Sequence, residues 1–289
     1  KIIRIFGYEI IDQSNLTLPL TNLNAGDNLS KSGIKSITIP LGVTNITNKI
    51  NSLSIIIRSY TFGDIQNSKV MLDQNKKRVF EFPKIEYTLR TINSIIASCE
   101  YAAKSFEKLK IKIIITDDKS TNENLLKIQK LLDKTNIESE IINLDEKEFF
   151  EEIKTKDING KEISKNMISN MRNILKSIKI SEESNSDLFY FLEDDYIHKK
   201  DAITEMLFTY EKISSQLGRE IFLCPADYPY LYSNIDDTKI FIGNKSHWRT
   251  VKETLITFMT SKKMLNRYYD DLKTMGKIRH HPMEQKLHE

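Results

Sequence analysis

The stretch Leu188-Phe-Tyr-Phe-Leu-Glu193-Asp194-Asp195-Tyr196 constrains this chain more than any other. Apolar residues run straight into three consecutive carboxylates. A short continuous apolar run reads as an interior strand of a parallel sheet, covered by helices on both faces. Ligands of such sheets bind beyond the carboxyl ends of the strands, where Glu193, Asp194 and Asp195 must lie. Three anionic side chains repel one another unless a cation is held among them. Mg²⁺ or Mn²⁺, hard ions that take oxygen ligands and keep phosphate oxygens as partners, suit this set. A solvated acidic turn would have the same composition, so the rest of the chain has to decide.

From residue 53 onward strands and helices alternate. Leu53–Ile57 and Ile111–Thr116 read as strands, the second ending in Asp117-Asp118. Between them a polar segment, Phe62 to Phe82, precedes a helix opened by Pro83, with Ile85, Leu89, Ile92, Ile96, Cys99 and Ala103 as one apolar stripe. Ser120 and Glu123 form a capping box for the next helix, which carries Leu125, Ile128, Leu131 and Leu132. A third strand spans Ser139–Leu144, and Asp145–Lys161 reads as a charged surface helix and loop. Ser164 caps a helix with Ile168, Met171, Ile174, Leu175 and Ile178 inward. The acidic strand is the fourth. A helix over residues 201–217 and a fifth strand, Ile221–Cys224, follow it; shorter strands, Lys239–Ile242 and Thr254–Met259, and a helix capped by Ser261 close the chain. Strands alternating with helices predict an α/β domain with a mainly parallel sheet flanked by helices. Residues 1–50 differ: Ile2–Ile11 and Ile34–Val43 are strand-like around a polar segment, a small β-rich extension that packs on the main domain or mediates association. The main domain, 51–289, divides into a half over 51–225 that carries the acidic strand ends and a second half over 226–289.

Composition removes several classes. Of 289 residues 39% are hydrophobic and 29% charged, with no run of about 18 apolar residues to span a membrane. The first residues lack the apolar core of a secretory signal. The 43 basic and 40 acidic residues give +3 and are well mixed, which speaks against a nucleic-acid surface. Cys99 and Cys224 lie in apolar contexts and read as small packed hydrophobes, which points to a reducing, cytoplasmic setting. No Gly-x-Gly-x-x-Gly follows Ile57, against a dinucleotide oxidoreductase, and no Walker lysine loop is present, against an ATPase.

Two strands thus end in paired acids, which makes a joint site of Asp117-Asp118 with Glu193-Asp194-Asp195. An early carboxylate can accept from a base N–H or a ribose hydroxyl, while the later cluster holds a metal that neutralises a diphosphate. The helix from Ser164 adds Asn166, Asn170 and Asn173 on one face with Arg172 beside them, either a polar face turned to a nucleotide or a product of an Asn-rich composition. His247-Trp248-Arg249 is either a sugar-stacking, phosphate-contacting loop or a tryptophan plugging the core edge. His280, His281 and His288 read as a solvated tail.

Taken in order, Ile55-Ile-Ile-Arg58-Ser59-Tyr60, Asp117-Asp118-Lys119-Ser120-Thr121, Met171-Arg172-Asn173 and Leu192-Glu193-Asp194-Asp195 resemble the motifs of GT-A fold glycosyltransferases of the family-2 type, over roughly residues 53–217. The resemblance implies a Rossmann-like GT-A domain that takes a nucleotide-diphosphate sugar, most often a UDP-sugar. Arg58, Ser59, Tyr60 and one of Asp117 or Asp118 would hold the base, with Arg172 near phosphate. Glu193 or Asp194 would face the ribose, and Asp195 with Glu193 would hold Mn²⁺ or Mg²⁺. Trp248 and Arg249 would contact the donor. The first residue of the metal motif is Glu193 rather than Asp, and the insert from Phe62 to Phe82 is long for the family. Inverting members use a late carboxylate to deprotonate the acceptor hydroxyl; Glu284 is the candidate, with Asp227 and then Glu253 as rivals. The implied acceptor is a glycan or lipid-linked sugar of bacterial surface polysaccharide synthesis, at the inner face of the membrane. A sugar nucleotidyltransferase and a non-catalytic nucleotide-sugar-binding module are the competing readings.

Overall fold

The computed structural model describes residues 45–61, 83–145, 147–228, 232, 238–279 and 281, together with the backbone of 2–5 and 8–11. Five strands form the central sheet: β3 (Ser52–Ser59), β4 (Lys110–Asp117), β5 (Glu138–Asn143), β6 (Leu188–Glu193) and β9 (Phe258–Ser261). Their order is β5-β4-β3-β6-β9, with every neighbour parallel except β9, which runs antiparallel to β6. Two short antiparallel ribbons stand apart, β1 (Ile2–Ile5) with β2 (Tyr8–Ile11), and β7 (Ile240–Ile242) with β8 (His247–Arg249). This is the α/β, mainly parallel sheet flanked by helices that the alternation predicts.

Side chains alternate across the sheet, so each strand feeds two cores. Leu53, Ile55 and Ile57 of β3 join Ile113, Ile115, Tyr190 and Leu192 under α1 (Lys84–Ser105), α2 (Asn122–Leu132) and α4 (Ala202–Leu217). Ile56, Ile114, Phe189 and Phe191 face the other way, against α3 (Lys165–Glu183), α5 (Lys262–Arg267) and α6 (Tyr269–Lys277). The chain builds outward from β3 through β4 to β5, then returns to place β6 on the opposite flank of β3. Parallel crossovers keep one hand, so the reversal puts α3 on the face opposite α1 and α2. A crevice opens at such a switch point, between the carboxyl ends of β3 and β6. There Arg58 and Glu193 are direct neighbours in the register, as are Ser59 and Asp117 on the adjoining pair.

Several expectations shift. The cap of α2 is Thr121, whose side chain accepts from the Asn124 amide, because Ser120 is engaged by Asp117 instead. The stripe of α1 ends on buried Ala102, with Ala103 turned to solvent. The expected fifth parallel strand, Ile221–Cys224, makes a single bridge, Leu223 to Met259, and the sheet's last strand is instead the antiparallel β9. The Asp145–Lys161 connection carries no helix among its described residues, and its Ile153 packs with Met167, Met171 and Leu175 of α3. Both cysteines are free thiols. The expected strand at Ile34–Val43 lies outside the described residues.

Asn173 of α3 ties the edge of the switch point together. Buried at 3% exposure, it donates through Nδ2 to the Ser59 carbonyl at 3.0 Å and the Thr116 carbonyl at 2.9 Å, bracing the ends of β3 and β4. Truncating it removes a donor from each of two buried carbonyls, although that of Ser59 keeps the Asp118 amide at 3.2 Å. Asn173→Ala is expected to lower the unfolding free energy by about 1–3 kcal/mol, read as a shift of the urea midpoint at unchanged m-value; a change under about 0.5 kcal/mol would show that water replaces the amide.

Candidate functional site

Each acidic strand end at the crevice has its own partners. At β4, Asp117 folds back on the turn it starts: its carboxylate accepts from the Ser120 amide at 2.9 Å and the Ser120 hydroxyl at 2.5 Å. Burial pushes its carboxyl above the ordinary range, and the two Ser120 hydrogen bonds oppose that push. Lys119, at φ 71°, turns the chain between them. Asp118 points to α3 and is 1% exposed. It meets Arg172 Nη1 at 3.2 Å from both carboxylate oxygens and accepts from Ser169 Oγ at 2.5 Å. Arg172 is itself 3% exposed, donating through Nε to the Glu148 carbonyl and through Nη2 to that of Asp145. The expected phosphate contact of Arg172 is therefore met from inside the protein, and so is the expected base contact of Asp118.

At β3, Arg58 lies on the α3 face, donates to the Ile256 carbonyl at 3.1 Å and stands 3.6 Å from Glu193. Ser59 is buried, while the Tyr60 hydroxyl reaches Asn166 of α3 at 2.9 Å. Burial, then the charge of Asp118, raises the Tyr60 phenol above its ordinary value.

At β6 the three carboxylates part company. Glu193, with 38% of its side chain exposed, leans on Arg58. Crowding by protein atoms raises its carboxyl, Arg58 pulls it back down, and water at its exposed tip tempers both. Asp194 turns to the opposite face and is 4% exposed; Lys84 Nζ lies 2.5 Å from Oδ1, Thr88 Oγ1 donates to Oδ2 at 2.7 Å, and the Tyr60 amide approaches at 3.4 Å. Asp195 is 32% exposed along its side chain, with Lys84 Nζ 3.7 Å away. The expected metal pair, Glu193 and Asp195, thus leans on two different cations of the chain. Among the described residues no group of three or more His, Cys, Asp and Glu side chains is gathered to hold a metal ion.

Lys84 and Thr88 give little sign of themselves in the sequence, because they stand about a hundred residues from the acids they meet. One signal exists. A lysine in the first turn of a helix works against the helix dipole, so its presence asks for a nearby anion.

Beyond Asp195 a cleft of about 1450 Å³ opens, lined among others by Tyr196, His198, Asp227, Tyr232, Trp248 and Arg249. Its far wall is the β7–β8 ribbon, docked by one carboxylate. Glu205 of α4 accepts from the Asn244, Lys245 and Ser246 amides at 2.8–3.2 Å and from Trp248 Nε1 at 3.1 Å. A Cβ on Gly243 would sit 2.5 Å from both Glu205 Oε1 and Trp248 Nε1, so this corner admits only glycine. Trp248 therefore spends its donor on the core edge rather than on the crevice. Arg249 pairs with Asp227 at 3.2 Å and stacks 4.2 Å over the Tyr232 ring, whose hydroxyl donates to Asp227 at 2.5 Å. The near wall is strained: Leu255 and Ile256 hold φ of 51° and 56°, a conformation that costs a branched residue roughly 1–3 kcal/mol. The Arg58 bond to Ile256 and a 3.2 Å bond from Tyr228 to the Thr254 carbonyl hold that loop in place. Glu253 enters this loop half-buried. Glu284, His280 and His288 lie outside the described residues.

No protein-family model matches the chain, and no curated protein matches it in sequence. Among solved structures, the chain is similar to S. aureus TarS 1-349, at 9% identity and TM-score 0.41, over 75% of this chain and 49% of that one. A longer S. aureus TarS structure is matched at 11% identity and TM-score 0.40, over 76% of this chain and 29% of that one. Core-mannan synthase A (CmsA/Ktr4) from Aspergillus fumigatus, in its Mn/GDP form, is matched at 10% identity and TM-score 0.24, over 69% and 46%. The chain spans half or less of the length of each.

Two outcomes follow from the site's electrostatics. Removing one member of a buried pair strands the other, at a cost of about 3–5 kcal/mol. Asp118→Asn and Arg172→Met are each expected to destabilise strongly, and the double variant by about 2 kcal/mol less than their sum; strict additivity in urea unfolding would show that they do not act as a pair. His198, sharing a 2.8 Å hydrogen bond with Tyr190, is buried so that its imidazole drops to about 4. The unfolded chain then takes up a proton near pH 6.5 that the folded chain refuses, so stability is lost as pH falls from about 6.5 towards 4. Between pH 7 and pH 5 the wild type should lose about 2 kcal/mol more than His198→Gln; equal losses would place the titration elsewhere.

Proposed function

We propose that this chain is a glycosyltransferase that takes a nucleotide-diphosphate sugar, a UDP-sugar in the first instance, at the β3–β6 switch point. It passes the sugar to a hydroxyl of a glycan or lipid-linked acceptor in the cleft beyond. The observation that carries this reading is a placement. Ser59-Tyr60, Asp117-Asp118 and Glu193-Asp194-Asp195 end three adjacent parallel strands, and the large cleft begins at the residue after Asp195.

In this reading the residues divide the work by exposure. Asp118, Arg172 and Asn173 are buried and fix the turns that receive the base; they set its pocket without having to touch it. Tyr60 forms part of the pocket wall, and its fixed hydroxyl gives the base a flat face. Glu193 and Asp195, each about one-third exposed, offer carboxylate oxygens to ribose hydroxyls. Tyr196, Tyr232 and Arg249 line the acceptor side, where aromatic faces stack on sugar rings. The acceptor hydroxyl needs a base within hydrogen-bond reach. Of the carboxylates that line the cleft, Asp201, Glu205, Glu220 and Asp227, the last is the one aimed by Arg249 and Tyr232; Glu284 is its rival. Attack from the face opposite the departing diphosphate inverts the anomeric centre, and the proton goes to the carboxylate. The Mn²⁺ or Mg²⁺ expected at Asp195 and Glu193 finds those groups already engaged with Lys84 and Arg58, so no step is routed through an ion. No helix among the described residues is long and apolar enough to cross a membrane, so a lipid-linked acceptor would be met at a membrane surface.

Thermal shift against UDP, GDP, CMP and NAD is the direct test. A nucleotide that binds the folded chain alone raises stability by about 2.7 kcal/mol at a hundredfold excess over Kd. UDP or GDP is expected to protect where CMP and NAD do not, with release of nucleoside diphosphate when a sugar donor is supplied. Asp227→Asn or Glu284→Gln should cut that release about a hundredfold or more while leaving protection intact, and whichever does so is the base. Pyrophosphate as the product would identify a nucleotidyltransferase instead, and protection without turnover a binding module. Protection by none of the four would end the reading.

A further inference from the structure

We propose that the cation held at the acidic end of β6 is the ammonium of Lys84, standing where the sequence leads one to expect a divalent ion, and that it meets the donor's diphosphate. The second half rests on the glycosyltransferase reading; the first half does not.

Three observations carry it. Asp194 is saturated, because Lys84 Nζ sits 2.5 Å from one oxygen, Thr88 donates to the other at 2.7 Å and the Tyr60 amide lies at 3.4 Å. Lys84 and Thr88 are one helical turn apart on α1, so a single helix face delivers both. Glu193 and Asp194 are successive residues at a strand end and point to opposite faces of the sheet, the first to Arg58 and the second to α1. They cannot close on one ion without breaking both ion pairs. That leaves Asp195, and Lys84 Nζ is already 3.7 Å from its carboxylate. A divalent ion seated there would lie beside a fixed positive charge, with Asp195 and at most the Arg58-paired Glu193 to hold it, whereas Mn²⁺ and Mg²⁺ ask for several oxygen ligands.

The same geometry suits a diphosphate. Lys84 is the first residue of a 22-residue helix whose positive end opens at the switch point. Two carboxylates hold the ammonium in place, and its side chain keeps 17% exposure, which leaves it within reach of a ligand in the crevice. Arg58, 4% exposed with Nε and Nη2 lacking hydrogen-bond partners, adds a second buried positive charge beneath the trio. Two fixed cations of the chain would then supply the charge that stabilises a leaving diphosphate, with no ion to recruit.

Two measurements decide. First, Mn²⁺ alone is titrated into the protein and free ion is followed by its paramagnetic resonance. The wild type should leave the ion free at millimolar concentration; saturable binding that Asp195→Ala abolishes would overturn the proposal. Secondly, UDP and GDP protection is compared in EDTA and in Mn²⁺. Equal protection in both buffers is expected, with affinity falling about tenfold in Lys84→Met and less in Lys84→Arg. Protection that requires Mn²⁺, or that survives Lys84→Met unchanged, would overturn it. Should Lys84→Met fail to fold, Lys84→Arg and the buffer comparison decide in its place. If neither nucleotide protects in any buffer, the glycosyltransferase reading and the diphosphate role fall together, and the Mn²⁺ titration still decides whether Lys84 stands in the ion's place.

Discussion

A carboxylate at the end of a buried parallel strand has lost water on both faces of the sheet, and the cost is tolerable only if a cation or several donors replace it. This chain meets that demand three times at one edge. Asp118 has Arg172 from α3, Glu193 has Arg58 from β3, and Asp194 has Lys84 from α1. The pairs do more than neutralise charge. Two of them join a helix to a strand end, α3 to Asp118 and α1 to Asp194, and the third ties the neighbouring strands β3 and β6, so the crevice is cross-braced from both faces. The Asn173 clamp on the Ser59 and Thr116 carbonyls completes the bracing. A ligand entering here meets turns whose shape is already set, so little of its binding energy goes into ordering them.

The layers explain why the crevice lies where it does. Because α3 must cross to the second face when the chain reverses, the ends of β3 and β6 have different helices in front of them. Lys84 approaches from one face and Arg172 from the other. Three apolar strands, β3, β4 and β6, were legible as runs of Ile, Leu and Phe, since a strand buried on both faces has no alternation to hide. The α3 cap at Ser164 was legible too, its side chain accepting from Met167 at 3.2 Å. Ile221–Cys224 and Thr254–Met259 misled because a four-residue apolar run is compatible with either strand direction or with a covered loop. Thr254–Thr257 became a turn through two residues at positive φ, a choice no local preference of Leu or Ile would suggest.

The candidate site was legible as a set of carboxylates and illegible as a set of contacts. Asp117, Asp118, Glu193, Asp194 and Asp195 do gather at one edge. What the sequence could not show is that Asp194 is the most enclosed of the β6 trio and Asp195 a more open one. That follows from strand alternation once the start of α1 is placed, and the residues 62–82 that bring it there carry no regular pattern. Trp248 illustrates the same limit. Its neighbours His247 and Arg249 suggest a ligand loop, yet the partner that fixes it is Glu205, a helix residue whose carboxylate also caps the ribbon turn.

The two halves of the molecule are built on opposite principles. The β3–β4–β6 edge holds two enclosed ion pairs, Asp118–Arg172 and Asp194–Lys84, and a half-open third, Glu193–Arg58, and is rigid because breaking an enclosed pair strands a charge. The cleft beyond Asp195 is walled by a ribbon docked on α4 mainly through Glu205, with Lys212 donating to the Gly243 carbonyl, and by a loop at positive φ, elements whose stability is local and modest. Rigidity on one side and yielding walls on the other suit a protein that must hold one constant ligand and admit a second of variable shape. In the proposed glycosyltransferase reading, a nucleotide takes the first role and a growing glycan the second. Glu205 is the main point at which the β7–β8 wall is tied to the sheet domain. It lies on α4, the helix that follows the acidic strand, so any shift of that helix is carried through Glu205 to Trp248 and the ribbon wall.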